Sequence, residues 1–162
     1  MKGPFKLGMA VATLVIVLDQ LTKWWITAVV MQPPQRIPVL PFFDLVLTWN
    51  RGISFGMFNS GSPYNNWLLS AVALIIVAVL GVWLKRAEAK LTATALGLII
   101  GGAIGNVIDR VHLGAVIDFL DLHLAGYHWP AFNIADSAIT IGAILLIGES
   151  MFAHRQNSDK MG

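Results

Sequence analysis

Two aspartates are the residues of this chain best suited to do chemistry. Asp118 lies in Gly114-Ala115-Val116-Ile117-Asp118-Phe119 and Asp136 in Phe132-Asn133-Ile134-Ala135-Asp136. The chain around them is 56% hydrophobic and only 12% charged, with a mean hydropathy of +0.69. A carboxylate near hydrocarbon is costly, so it is paired, solvated or functional. Two carboxylates that meet can share one proton. Such a pair can activate water and protonate a leaving group. The expectation is a catalytic dyad in an intramembrane or membrane-surface peptidase. Each residue alone also has an ordinary reading. Asp118 could be an exposed turn acid. Asp136 follows Asn133 by three residues, as in a capping box, and a helix N-terminus attracts carboxylates.

Other polar residues have spacings that bring them together. Asn106, Asp109 and Arg110 share one helix face, being i, i+3 and i+4. Asp109 and Arg110 also fit a solvated helix end, with Arg110 suiting the macrodipole there. Asn106 lies deeper, with two hydrogen-bonding ends that need partners. Asp19 and Lys23 are one helical turn apart with the acid first, so two charges inside an apolar helix can neutralise each other. Asp121, His123 and His128 raise a metal site only weakly, because no H-E-x-x-H spacing is present. Ser54, Ser60, Ser62, Ser70, Ser137 and Ser150 form no Gly-x-Ser-x-Gly elbow. With no cysteine, disulfides and thiolate chemistry are excluded.

The elements that must position these residues are four apolar helices. Spans are expected at about 7–30, 67–84, 91–108 and 135–152, within one domain of 162 residues. Eighteen helical residues reach roughly 27 Å, near the thickness of a bilayer core. The N-terminal apolar run resembles a signal peptide, but no small-residue cleavage site follows, so it reads as an uncleaved first span. Seven basic residues (Lys2, Lys6, Lys85, Arg86, Lys90, Arg155 and Lys160) fall on one side of these spans. Lys23, Arg36, Arg51 and Arg110 fall on or near the other. The positive-inside rule then puts both termini in the cytoplasm and segments 31–66 and 109–134 outside. Trp24, Trp25, Trp49, Trp67 and Trp129 cluster toward that outer boundary, as an aromatic belt does.

Segment 31–66 predicts a β-like platform on the outer surface. Pro33, Pro34, Pro38 and Pro41 break any helix, residues 43–49 are rich in β-formers, and Gly52, Gly56, Gly61 and Pro63 mark turns. Gly97, Gly101 and Gly105 form a small-residue ladder on span three that lets another helix approach closely. The net charge of +2 comes from scattered basic residues with no basic stripe, so nucleic acid is not a predicted partner.

Five pieces taken together resemble the lipoprotein signal peptidases (signal peptidase II), the bacterial membrane aspartyl peptidases. They are Asp19-Gln20-x-x-Lys23, Asn50-Arg51-Gly52-Ile53-Ser54-Phe55-Gly56, Gly101-Gly102-Ala103-Ile104-Gly105-Asn106-x-x-Asp109-Arg110, Gly114-x-Val116-x-Asp118-Phe119 and Phe132-Asn133-x-Ala135-Asp136-x-x-Ile139. The family often has alanine where Ser54 stands. The resemblance implies an all-α membrane protein of four transmembrane helices with a small extracytoplasmic β-cradle. It implies a catalytic dyad at Asp118 and Asp136. Asp19, Lys23, Asn50, Gly52, Asn106, Asp109, Arg110 and Asn133 would shape the site or hold substrate. It further implies a diacylglyceryl-prolipoprotein substrate cut just before its lipidated cysteine, no cofactor and no metal. The location would be the bacterial inner membrane, among membrane lipids, with the chain acting as a monomer. Two rivals stand beside this reading. One is a small proton-coupled carrier, since intramembrane acids also mark ion paths. The other is an assembly protein that uses its glycine ladder to bind a partner span.

Overall fold

The computed structural model describes residues 3–52 and 63–158. Ser54, Ser60, Ser62, Gly56 and Gly61, and with them part of the Asn50–Gly56 motif, lie outside the described residues. The elements in chain order are α1 (Gly3–Trp25), β1 (Ile37–Leu40), β2 (Phe43–Asn50), α2 (Pro63–Arg86), α3 (Lys90–Leu113), β3 (Val116–Leu124), β4 (Tyr127–His128) and α4 (Ile134–Ser158). Among the described residues, four helices are long and apolar enough to cross a membrane. The molecule is mostly helical, with one small antiparallel sheet.

α3 is the central post. More than half of its apolar window is buried, against less than a quarter for each of the others. Small residues make this possible. A Cβ added at Gly101 would lie 2.6 Å from the Ala12 carbonyl oxygen and 2.8 Å from Val15 Cβ. Gly97 meets Gly8, and Gly105 meets the Asp19 carboxylate. The glycine ladder is therefore the contact face for α1. Gly102 meets the Ala135 carbonyl, and Gly142 of α4 meets Ala95, so α3 carries a second close face for α4. Close backbone approach gains dispersion contacts and lets short polar side chains meet across helices. α2 leans on the same post and turns Leu68, Ile75, Val79 and Val82 outward, as a lipid-facing helix does.

The sheet runs in the order β1-β2-β3-β4. β2 is the strand expected from its β-formers. β1 carries Pro38 and pairs only with β2, an edge position where a missing N–H does no harm. The sheet packs over the end of α1 through Ile26, Met31, Ile117 and Phe119. There α1 widens into a π-helical turn, Ile26–Val30.

Three details differ from the sequence reading. Segment 109–134 contains a nine-residue strand, β3, which was not expected. Its first five residues are buried or half-buried on both faces, so it shows no polar–apolar alternation to read. α3 continues to Leu113, so Asp109 and Arg110 lie inside a helix, and Asp109 is buried, not solvated. Pro63 opens α2 instead of marking a turn before it, which suits a residue whose absent N–H has no partner at a helix start.

The packing yields a paired test. Gly101→Ala must push against the α1 backbone and should lower the thermal midpoint in detergent. Gly81→Ala, with open space around it, should hold or raise the midpoint, since the helix gains about 0.5–1 kcal/mol in propensity. Equal effects in a melting assay would refute the packing account.

Candidate active site

Asp118 reaches the site from β3. Thr48 pairs opposite it across the β2–β3 ladder, and Asn50 lies two residues further along the same face. Asn50 therefore donates from Nδ2 to Asp118 Oδ2 at 3.0 Å. Gly52 fixes that asparagine, its N–H donating to Asn50 Oδ1 at 3.0 Å. On the other side, Asn133 Nδ2 donates to Asp118 Oδ1 at 2.8 Å. Both carboxylate oxygens of Asp118 are thus engaged by neutral amides.

Asp136 arrives on the first turn of α4. The capping box is present: Asp136 N–H donates to Asn133 Oδ1 at 2.9 Å, and Asn133 N–H donates to Asp136 Oδ2 at 3.2 Å. Its other oxygen accepts Asn106 Nδ2 at 2.8 Å. Asn133 Nδ2 also reaches Asn106 Oδ1 at 3.2 Å. The chain Asp118–Asn133–Asn106–Asp136 thus links the two carboxylates through two buried amides. The capping role of Asp136 coexists with this second contact, because the two use different oxygens.

Asp118 is almost fully buried. Burial raises its pKa from 3.8 to about 6, and the negative charge of Asp136 pushes the same way. The amide hydrogen bonds from Asn50 and Asn133, and the charge of Lys23, pull it down without reversing the shift. The folded molecule therefore prefers the protonated form of Asp118 between the two values. The stability this group contributes is fully present below pH 3.8 and is lost as pH rises through about 6.

Beneath the dyad lies a charged layer. Lys23 Nζ sits 2.8 Å from Asp19 Oδ2 and 2.8 Å from Asp109 Oδ2, and donates to Asn106 Oδ1 at 3.2 Å. The i, i+4 pairing of Asp19 with Lys23 is present, but it is not a closed neutral pair. Lys23 is shared with Asp109 from α3. Gln20 Nε2, a residue the sequence reading left out of the site, donates to Asp109 Oδ1 at 2.9 Å and lies 3.2 Å from Asp19 Oδ2. Its position three residues before Lys23 on the same helical face was the available signal. Arg110 contacts the Asn106 and Gly52 carbonyls only distantly, at 3.5 Å each. The charges of Asp136 and Asp118 act on it. Among the described residues, its buried Nε has no hydrogen-bond partner.

Asn66 was also missed. It donates from the first turn of α2 to the carbonyl of Gly114, which ends α3 in the left-handed conformation at φ 69°. No pattern in the sequence marks a contact between residues 48 positions apart.

Asp121, His123 and His128 stay outside this cluster. His128 Nδ1 meets Asp121 at 2.8 Å, His123 Nε2 lies 3.2 Å from Asp44, and the two imidazoles stack with centroids 4.8 Å apart. Burial works to raise the Asp44 carboxyl. Hydrogen bonds from Arg36 and His123, with the Arg36 charge, outweigh it and hold Asp44 below the usual range. Among the described residues, no group of three histidine, aspartate or glutamate side chains converges in a way that could hold a metal ion.

A cleft of about 580 Å³ opens beside the dyad, lined by Leu122, Trp129, Phe132, Asp136, Ile139 and Ile141 among others. It is apolar along α4 and ends at a carboxylate. An extended apolar peptide could lie in it with its backbone against the acid.

Comparison with known proteins gives the family of the chain. A family model described as "Signal peptidase (SPase) II" matches residues 11–152. The lipoprotein signal peptidase of Methylobacterium sp. (strain 4-46) is 42% identical over 159 residues, which are 98% of this chain and 96% of that protein. The lipoprotein signal peptidase of Methylorubrum extorquens (strain PA1) is 45% identical over 150 residues, 91% of this chain and 86% of that one. A solved bacterial membrane enzyme, determined by the in meso method at 2.3 Å, superposes with a TM-score of 0.76 at 34% identity. The match covers 93% of this chain and 90% of that chain.

Proposed function

The chain belongs to the signal peptidase II family of membrane aspartic peptidases, and from that premise we propose that it removes the signal peptide of diacylglyceryl-modified prolipoproteins, cutting just before the lipidated cysteine. Asp118 and Asp136 are the catalytic pair. The observation that carries this assignment is the hydrogen-bonded chain through Asn133 and Asn106 that joins buried Asp118 to half-buried Asp136 at the end of an apolar cleft.

The chemistry follows from charge. Asp19, Asp109, Asp118 and Asp136 outnumber Lys23 and Arg110 by two in this cluster. One proton held between Asp118 and Asp136 halves that excess and relieves their repulsion. The ionised member takes a proton from water as the water oxygen attacks the scissile carbonyl carbon. The protonated member donates to the carbonyl oxygen, where negative charge develops. When the tetrahedral intermediate collapses, the C–N bond breaks and the leaving nitrogen takes a proton. The signal peptide departs with a new carboxylate, and the lipidated cysteine keeps a free amine. The dyad titrates as a unit, so the proton belongs to the pair. Arg110, whose Nε has no partner among the described residues, donates to a backbone carbonyl of the bound peptide. Asn50 and Gly52 hold Asp118 from the strand side. The acyl chains lie against apolar helix faces open to lipid.

The enzyme works as a monomer in the bacterial inner membrane, with both termini cytoplasmic. The dyad faces outward, where a translocated lipoprotein presents its modified cysteine. The asymmetry of lysine and arginine supports this orientation.

The reading is tested by mass analysis of a diacylglyceryl prolipoprotein incubated with purified protein. Wild type should release a fragment ending just before the modified cysteine. Asp118→Asn and Asp136→Asn should stay folded and lose at least about 1,000-fold of that activity, since asparagine keeps the shape but cannot exchange the proton. Near-normal turnover by either variant would remove the dyad.

Orientation has its own check. The chain has no native cysteine, so single cysteines report cleanly. Tyr127→Cys, on the exposed sheet hairpin, should react with an impermeant thiol reagent added to intact spheroplasts. Ala89→Cys, exposed between α2 and α3, should react only after lysis. The reverse pattern would turn the molecule over and take the substrate assignment with it.

A further inference from the structure

The two acids beneath the dyad do more than neutralise a lysine. Asp19 Oδ1 accepts the backbone N–H of Ala135 at 3.0 Å. Asp109 Oδ2 accepts the backbone N–H of Ile117 at 3.1 Å. Each acceptor therefore holds the backbone N–H of the residue directly before one of the paired aspartates, Asp136 in the first case and Asp118 in the second. Lys23 Nζ joins the two acceptors at 2.8 Å each. Among the described residues, nothing else in the charged layer reaches both strand β3 and helix α4 in this symmetric way.

We propose that Asp19, Lys23 and Asp109 form a two-armed clamp that sets the spacing of Asp118 and Asp136, with all three acting as positioning residues. The proposal rests on the peptidase reading above and deepens it. Its logic is mechanical. β3 and α4 are separate elements that meet at the site. Asp109 belongs to α3 and Asp19 to α1, so the carboxylate separation depends on two helices that carry neither catalytic residue. A charge-assisted bond to a backbone N–H is directional, and the residue next to one held this way has little freedom to drift. Lys23 holds the arms together, since without it two buried carboxylates would repel across the gap. Gln20 and Asn106 finish the clamp by filling remaining hydrogen-bonding positions on Asp109 and Lys23. Gly105 has to be glycine because the Asp19 arm passes where its Cβ would be, 2.6 Å from Oδ2.

The test uses the full chain in detergent, isotopically labelled, with a diacylglyceryl prolipoprotein as substrate. Wild-type cleavage of that substrate judges the peptidase reading. The amide protons of Ala135 and Ile117 judge the clamp separately. In wild type both should resonate downfield and exchange slowly. Lys23→Arg keeps the charge but not the fit. It should move both amide signals upfield together and lower kcat by about 100-fold, the scale of a misplacement near 1 Å, while KM changes less than about threefold. Asp109→Asn should move the Ile117 signal and spare that of Ala135, again with a fall in kcat, and it carries the test alone should Lys23→Arg not fold. A fall in kcat with both amide signals unmoved would overturn the clamp, as would shifted amides with kcat unchanged.

Discussion

Everything in this molecule depends on keeping ionised groups at the edge of hydrocarbon without leaving any of them bare. A lone charge in that position is unaffordable at the stability scale of a small protein. The chain resolves the constraint by concentration. Lys23, Asp19 and Asp109 bury one another at the end of α1 and α3. Asn106 carries hydrogen bonds from that layer to Asp136, and Asn133 carries them on to Asp118. The glycine faces of α3 are the packing counterpart. Only backbones that nearly touch bring such short side chains within bonding distance, as Gly105 against Asp19 shows directly. Apolar packing and polar chemistry are one arrangement seen from two sides.

Asp136 illustrates how a capping motif joins a wider polar network. A capping box normally satisfies a helix end and nothing more. Here the capping acid spends one oxygen on the Asn133 N–H and turns the other toward Asn106. The helix N-terminus fixes the carboxylate rigidly, and the second oxygen remains in a network that includes the other acid. Asp118 has a different support, held from a β-strand by side-chain amides of Asn50 and Asn133. Two carboxylates of the same chemistry thus sit in unequal surroundings, which is the condition for one to hold a proton that the other lacks.

Much of this is legible in the amino-acid sequence. Four apolar runs read as spans because membrane helices declare themselves by length and hydropathy. Strand β2 read from its β-formers, the Asp19–Lys23 turn from its spacing, and the Asn133–Asp136 box from its three-residue interval. What was not legible shares a physical cause. β3 is buried on both faces over its first half, which removes the alternation that identifies a strand. Asp109 read as a solvated helix end because its partners, Lys23 and Gln20, lie on another helix more than 80 positions away. Asn66 tethers α2 to Gly114 by a contact with no local trace. Local patterns reveal elements and caps. The convergence of separate elements on one charge appears only in three dimensions.

The central claim is that Asp118 and Asp136 act as one coupled pair in a preformed site. The most direct measurement is a carboxyl-carbon NMR titration of the aspartate-labelled protein in detergent, with Asp118 assigned through its asparagine variant. The account predicts an Asp118 midpoint near pH 6, well above the ordinary 3.8, since burial and the Asp136 charge both raise it. Replacing Asp136 by asparagine removes one of those two causes, so the midpoint should fall while staying elevated by burial. A midpoint at the ordinary carboxylate value, or one that does not move when Asp136 is neutralised, would contradict the coupled dyad.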